Sequence, residues 1–597
     1  MLLRAFVGLG RVFCAMSVAI TMSACAALRP PPAVVPTPPQ PTVSPPVFKI
    51  PGEPVMLSPR EKALGYFLKG QVAIDRGDYD TALSAFEQAV ASDPQAGFLR
   101  LRLVTLYVRQ GKLAEALDHC QKLLEKEPEN TEAQLLFAGL LYSTGRENEA
   151  AQVYEAVLKR EPHNQEPYLY LGTLYAKQGD FNKAIAILNQ LVQLRPRSVL
   201  GYYYLGQIHA AASQFDEAET YYHKALKLNP QSELVLLDLA LLYEMQKKPE
   251  RAIEMYQKAL ALNPQSIKAR KQLGGFYLGQ KKLDEALRQF RELEKIEPDP
   301  QETRVKISLI YKEKGDLARA ITELNLVLAA QPENDRARYF LGAIYAEAKE
   351  DTKALAEMSR IPASSDYFAD ARLYMSYIHQ RQGNLEQAIA EAEQALQIKA
   401  DDLDLLAFLA SLQRERGHHQ QAIAILQRMI QLAPENDQYY FTLGAIYDEV
   451  KNKEQCILYM QKAIELNPQN AAALNYLGYT WAEQGVRLDE AESLIRRALE
   501  VEPNDGFYID SLGWVYYQRG DYAQAVHYLE RAVELVGDDP TIIEHLGDAY
   551  DKVGRKIDAA RTYQEALKHA KEADQIQRLR TKLERLNGQQ KAVGREI

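Results

Sequence analysis

The chain has 597 residues, more than a single core serves, with an ordinary soluble composition of 47% apolar and 25% charged residues. Seventy-one basic residues stand against 80 acidic ones, a formal charge of −9, which argues against the basic face of a nucleic-acid binder. Four cysteines with no CxxC pair give no zinc or redox motif.

The first segment is "MLLRAFVGLGRVFCAMSVAITMSACAALRPPP". Arg4 and Arg11 precede an apolar stretch from Val12 to Met22, too short to span a bilayer, which reads as a secretory signal. The "MSAC" that follows resembles a bacterial lipobox, with Met22 where leucine is usual. The resemblance implies a signal peptide over 1–24, lipidation at Cys25, and, because Ala26 follows the cysteine rather than an aspartate, sorting to the outer membrane. Ordinary cleavage after "ACA", residues 24–26, is the alternative. Residues 25–59 form a linker, with twelve prolines between 30 and 59 that favour an extended polyproline spacer. "SPRE" ends it: Ser58 as N-cap, Pro59 at the first helical position and Glu61 completing a capping box.

Prolines 94, 128, 162, 196, 230, 264, 298 and 332 then recur every 34 residues, and Pro434 and Pro468 resume in phase. A fixed 34-residue period predicts helix–turn–helix repeats. With this proline as position 32, position 8 is small in fourteen of fifteen units, Val104 being the exception. Position 20 is alanine in every unit but one, where Cys456 stands. Two helices of a hairpin approach closely only where such residues meet, and larger ones there overpack by about 1–3 kcal/mol. Proline stops the second helix because it lacks an N–H. "RGDY", "QGDF" and "KGDL" near position 15 are turn signals between the helices.

This column pattern resembles the tetratricopeptide repeat over about residues 63–573. It implies an all-α fold: a right-handed α-solenoid of about fifteen hairpins with a C-terminal capping helix. In unit 471–505 one residue is inserted at "GVRLDEA". In unit 335–368 Pro362 stands four positions early and shortens the second helix. A break there divides the array into 60–361 and 362–573. Residues 574–597 are read as capping helix and tail, with Ile576, Leu579, Leu583 and Leu586 as one apolar stripe. Cys120 and Cys456 fall in core columns ten repeats apart and are read as unpaired core thiols.

The chain carries no GxSxG, HExxH or EF-hand loop. "GGFYLGQK" at 274–281 lacks the strand and GK[ST] ending of a phosphate loop, and the adjacent His418 and His419 have no third ligand. The expectation is therefore no enzyme, no cofactor and no metal. What remains is surface. Positions 2, 5, 9 and 12 of each first helix share one face, the concave one. In the last three repeats they hold Asn475, Tyr479, Asp510, Trp514, Tyr517, Glu544, Asp548 and Asp551, aromatic anchors among polar groups as protein or peptide binding uses them. The alternative is that Trp514 packs on the neighbouring helix and the acids are solvated. The Lys and Asn clamp by which some tetratricopeptide proteins hold C-terminal carboxylates is absent: only Lys271 fits position 5, and Gly275 occupies its position 9. The C-terminal run "LNYLGYTWAEQG", "IDSLGWVYYQRG" and "EHLGDAY" is similar to that of envelope lipoproteins acting as adaptors. That implies a membrane-anchored scaffold whose partner could be a processing protease or cell-wall hydrolase; one rival is a component of an exopolysaccharide-secretion or pilus-assembly machine, and a second is a cryptic enzyme.

Overall fold

The structure, a computed structural model, describes the backbone of residues 57–593 and side chains up to 586. The expected signal peptide, Cys25 and nearly all of the linker lie outside the described residues. Among the described residues there are 31 helices and no strand. None of these helices is long and apolar enough to cross a membrane.

Thirty of the helices form fifteen antiparallel pairs, and α31 (Ala573–Val593) follows the last pair. The first helix, α1 (Pro59–Asp75), starts as its sequence predicts: the Glu61 backbone N–H donates to Ser58 Oγ at 3.3 Å and the Ser58 N–H donates to Glu61 Oε2 at 2.7 Å. Later repeats start alike. Two residues after the position-32 proline, Asn130, Ser198, Asn334, Asn470 and Asp505 each accept a backbone N–H of the helix they cap.

The turn inside each hairpin has a backbone cause. Position 15 lies in the left-handed region in all fifteen repeats. Ten are glycine, which adopts it freely; the others are Ser213, Lys247, Lys281, Lys349 and Lys451. An aspartate often follows, and Asp78, Asp180 and Asp316 cap the second helix.

Packing follows the two small columns. Every position-20 residue, Cys456 included, is fully buried. A Cβ added to Gly206 would lie 2.6 Å from the Tyr222 ring, and one on Gly547 2.5 Å from that of Tyr563, so position 8 is small because the position-24 side chain fills the gap. Cys120 and Cys456 are both free and buried, and burial pushes their thiols up to about 12 and about 11.

The chain divides into two compact units, Met1–Pro300 and Gln301–Ile597. The first contains the pairs from α1 to α14 (Leu283–Glu294), the second those from α15 (Gln301–Glu313) to α31. Within each, apolar residues of one hairpin pack on the next. Pro362 lies inside the second unit. There α18 (Asp351–Met358) is only eight residues long, and the chain beyond it folds into a turn that buries Ile361 against Met358, Phe368 and Met375. The inserted residue of unit 471–505 is taken up at Arg487, also left-handed, whose guanidinium sits 4.1 Å over the Trp481 ring. A cavity of about 300 Å³ opens beside this pair, lined also by Leu477 and Leu494.

Candidate functional site

Three helices of the second unit carry the expected surface: α25 (Ala471–Glu483), α27 (Gly506–Arg519) and α29 (Pro540–Lys552). Each is the first helix of its repeat. On α27 the spacing of three brings Trp514 and Tyr517 together, their rings stacked at 4.5 Å and 5°. The other face of the indole is covered by His545 of α29, at 4.1 Å and 21°. Tyr479 of α25 approaches the same imidazole at 6.4 Å. The Trp514 indole is thus half-buried between a phenol and an imidazole.

The imidazole is held from below. His545 Nδ1 lies 3.0 and 3.1 Å from the two Asp510 oxygens, and both residues are buried, at 7% and 6% exposure. Burial works against the imidazolium; the Asp510 carboxylate outweighs it and raises the His545 pKa. The phenols shift the same way for a simpler reason. Burial, reinforced by Asp548, pushes Tyr517 up to about 12, and burial with Asp510 raises Tyr479.

The three acids of α29 are engaged differently. Glu544 pairs with Lys582 of α31 at 2.8 Å and accepts from Gln575 at 3.1 Å, with Arg578 at 3.7 Å. Asp548 accepts from Lys582 and from the Tyr563 hydroxyl, both at 2.6 Å. Asp551 pairs with Lys556 and Arg585. Burial alone would raise the Glu544 carboxyl; Lys582 and Gln575 outweigh it and hold it below the usual carboxylate range. The acids therefore meet the cations of α31 and are not solvated.

The capping helix thereby acquires a second role. Leu579 and Leu586 are buried among Ile543, Leu546, Tyr550 and Tyr563, as a cap requires, with Leu583 partly so. Arg578, Lys582 and Arg585 stand 34 residues after Glu544, Asp548 and Asp551. Among the described residues, α31 stacks in register as the first helix of a further repeat.

Asp510, Trp514, Tyr517 and Tyr479 thus form one cluster, and Glu544, Asp548 and Asp551 form a row that binds α31. Asn475, on α25, is half-buried. Its Oδ1 and the Trp514 Nε1–H are buried atoms with no hydrogen-bond partner. Two groups were not expected: His545 and the α31 cations. The signal for His545 was present in the first unit, where Tyr203 donates to Asp238 at 2.7 Å, again from position 5 of one repeat to position 6 of the next. Tyr516 lies outside this cluster: its ring stacks on Tyr528 of its own hairpin at 5.4 Å, and its hydroxyl donates to Glu492 of the preceding hairpin at 2.7 Å.

Stacked helical hairpins with a side-chain-lined inner face define a binding scaffold of the solenoid class. Family profiles described as tetratricopeptide repeat match residues 73–136, 107–156, 141–200, 244–306, 379–447 and 516–583 with one profile, and 198–265, 306–367, 437–470 and 457–506 with others. The chain belongs to the tetratricopeptide repeat family, whose members bind protein partners; no catalytic domain is identified in it. A TPR repeat-containing protein of Pseudomonas aeruginosa is 41% identical over 78 residues, a match covering 13% of either chain. Solved structures with a similar fold include a tetratricopeptide repeat protein from Parabacteroides merdae, 21% identical over 42% of this chain and 98% of its own, TM-score 0.35. Yeast Tom70 is another, 14% identical over 89% of this chain and 96% of its own, TM-score 0.32.

Proposed function

We propose that this scaffold is an adaptor of the bacterial envelope, anchored in the outer membrane through a lipid on Cys25, which holds a protein or peptide partner against the inner face of its last repeats. The lipobox-like "MSAC" and the proline-rich spacer support the anchor. Acyl chains contribute about 0.8 kcal/mol per buried methylene, so several of them retain a protein at a membrane.

The observation that carries the binding reading is the aromatic stack of Trp514 and Tyr517, with two unpartnered polar atoms on adjacent first helices, the Trp514 indole N–H on α27 and Asn475 Oδ1 on α25. One is a donor and the other an acceptor, and a peptide main chain supplies the complement of each. A buried polar group left unpaired costs about 1–3 kcal/mol, so a ligand that pairs it recovers that energy. Tyr479 and Tyr517 flank the indole and offer apolar area to a partner side chain. Glu544, Asp548 and Asp551 contribute by fixing α31, so the partner segment is chosen by shape and hydrogen bonding more than by positive charge.

The test is photo-crosslinking from residue 517 in intact cells, followed by mass spectrometry, in wild type and in Trp514→Phe. Phenylalanine keeps the stack and removes the N–H. Loss of a specific crosslinked protein in that variant, with helicity unchanged and stability lowered by no more than the ~1 kcal/mol expected of the smaller ring, supports the reading. The same proteins captured equally by both would sink it. Release of Cys25→Ser protein from the membrane fraction tests the anchor separately.

A further inference from the structure

In the first unit, the turns that lead from one hairpin to the next stack along one edge. Arg195 donates to the His163 carbonyl of the turn before it at 2.8 Å. Asn263 and Ser266 both donate to Glu233 of the turn before theirs, the former at 3.0 Å. Three of these turns repeat one composition: "QLVQLRPRSVL" at 190–200, "KALKLNPQSEL" at 224–234 and "KALALNPQSIK" at 258–268. Leu194, Leu228 and Leu262 each end a helix, and Leu200, Leu234 and Ile267 stand in the first turn of the next. All six are 38–45% exposed. The same three stretches hold six basic residues, Arg195, Arg197, Lys224, Lys227, Lys258 and Lys268, against one acid, Glu233. The chain as a whole is acidic, and the corresponding stretches 122–132 and 292–302 hold four acids to two bases and five acids to one base.

We propose that this edge of the first unit lies on an anionic lipid surface. The aliphatic side chains enter the boundary between headgroups and acyl chains, and the basic side chains meet lipid phosphates. Charge supports it first. Lysine and arginine keep their charged ends at headgroup level while their stems run beside the leucines, and each such residue strengthens attachment to an anionic surface by a factor of about five. Lys258 also pairs with Glu254 at 2.7 Å, but more than half of each side chain is exposed, so the contact is weak in water and a phosphate can replace it. Shape supports it second. In each stretch proline and polar turn residues separate the two exposed aliphatic side chains. A fluid surface admits isolated side chains one at a time, whereas a protein partner needs a matched hollow for each and buries a contiguous patch. The contact is interfacial, since no helix among the described residues is long and apolar enough to cross a membrane.

This inference is independent of the proposed lipid on Cys25 and of the groove in the last repeats. Its test uses the purified full-length chain with Cys14→Ser and Cys25→Ser, so that no acyl chain contributes and the buried Cys120 and Cys456 stay unlabelled. A polarity-sensitive fluorophore is attached through Leu228→Cys or, as a control, through Glu217→Cys near the other end of the same helix, Phe215–Leu228. With vesicles containing phosphatidylglycerol, emission should shift to the blue at 228 and stay unchanged at 217; with pure phosphatidylcholine vesicles neither should shift. Lys227→Gln with Lys268→Gln should weaken vesicle binding roughly thirtyfold, at about a factor of five for each charge removed. Leu194→Ser with Leu262→Ser should weaken it roughly tenfold with helicity unchanged, because both side chains are already exposed. Equal shifts at 217 and 228, equal binding to neutral vesicles, or full binding by either double variant would each overturn the proposal. So would the absence of any vesicle shift at 228 when a photo-crosslinker there captures one specific protein, which would make the edge a protein-binding surface.

Discussion

Trp514→Ala should destabilise the second unit by about 3 kcal/mol, a value that follows from its two stacked faces. Each aromatic pair contributes ~0.5–1.5 kcal/mol beyond area, so contacts with Tyr517 at 4.5 Å and His545 at 4.1 Å give about 2 kcal/mol together. Loss of the half-buried indole's remaining apolar burial adds roughly 1 kcal/mol. Trp514→Phe, which keeps a ring in place, should cost about 1 kcal/mol. Urea unfolding is well suited to the measurement because the chain has only two tryptophans. With Trp514 removed, the fluorescence of Trp481, buried in the same cluster, reports this region alone, while circular dichroism reports the whole array. A cost below ~0.5 kcal/mol, the scale of an ordinary surface substitution, would refute the stacked arrangement and leave Trp514 an open groove residue.

Four further outcomes are expected. His545 has a raised pKa, so the stabilisation from its pair with Asp510 is fully present below the unfolded value of about 6.5 and is lost as pH rises through the raised folded value; the denaturation midpoint of the second unit should fall as pH is raised above neutrality, and Asp510→Asn should flatten that slope. Gly547→Ala places a Cβ 2.5 Å from the Tyr563 ring and should cost about 1–3 kcal/mol in a thermal melt, whereas an unshifted melt would mean a looser hairpin. Lys582→Glu sets a third carboxylate against Glu544 and Asp548 and should cost about 3 kcal/mol, seen as faster amide exchange in α29 and α31 but not in α19 (Phe368–Arg381). Limited proteolysis of the second unit should cut first within residues 362–366, where α18 has ended and Pro362, Ala363 and Ser364 are exposed; earlier cutting in another of its turns would argue that the shortened helix is as well held as the rest.

Much of this arrangement was legible in the sequence because a 34-residue period repeats each structural demand fifteen times. The small residues at positions 8 and 20, the left-handed turn and the capping leucines all follow from that column logic. What lies opposite a given side chain did not, because helical spacing fixes the face a residue occupies and not its neighbour across the stack. Asp510 was placed correctly on the first helix of its repeat, but its partner His545 is visible only once the hairpins are stacked so that position 5 meets position 6 of the next. The acid row is the sharper case. Read on α29 alone, Glu544, Asp548 and Asp551 are three negative charges facing a groove. Adding 34 to each number gives Arg578, Lys582 and Arg585, and all three pair with that row in the structure. With Lys556 also on Asp551, the three acids of the row are fully matched by cations. A net-negative patch would have drawn basic partners at long range with strong salt dependence. A neutralised row leaves selection to surfaces that act only on contact, the indole flanked by tyrosines and the two unpartnered polar atoms, and binding there should depend weakly on ionic strength.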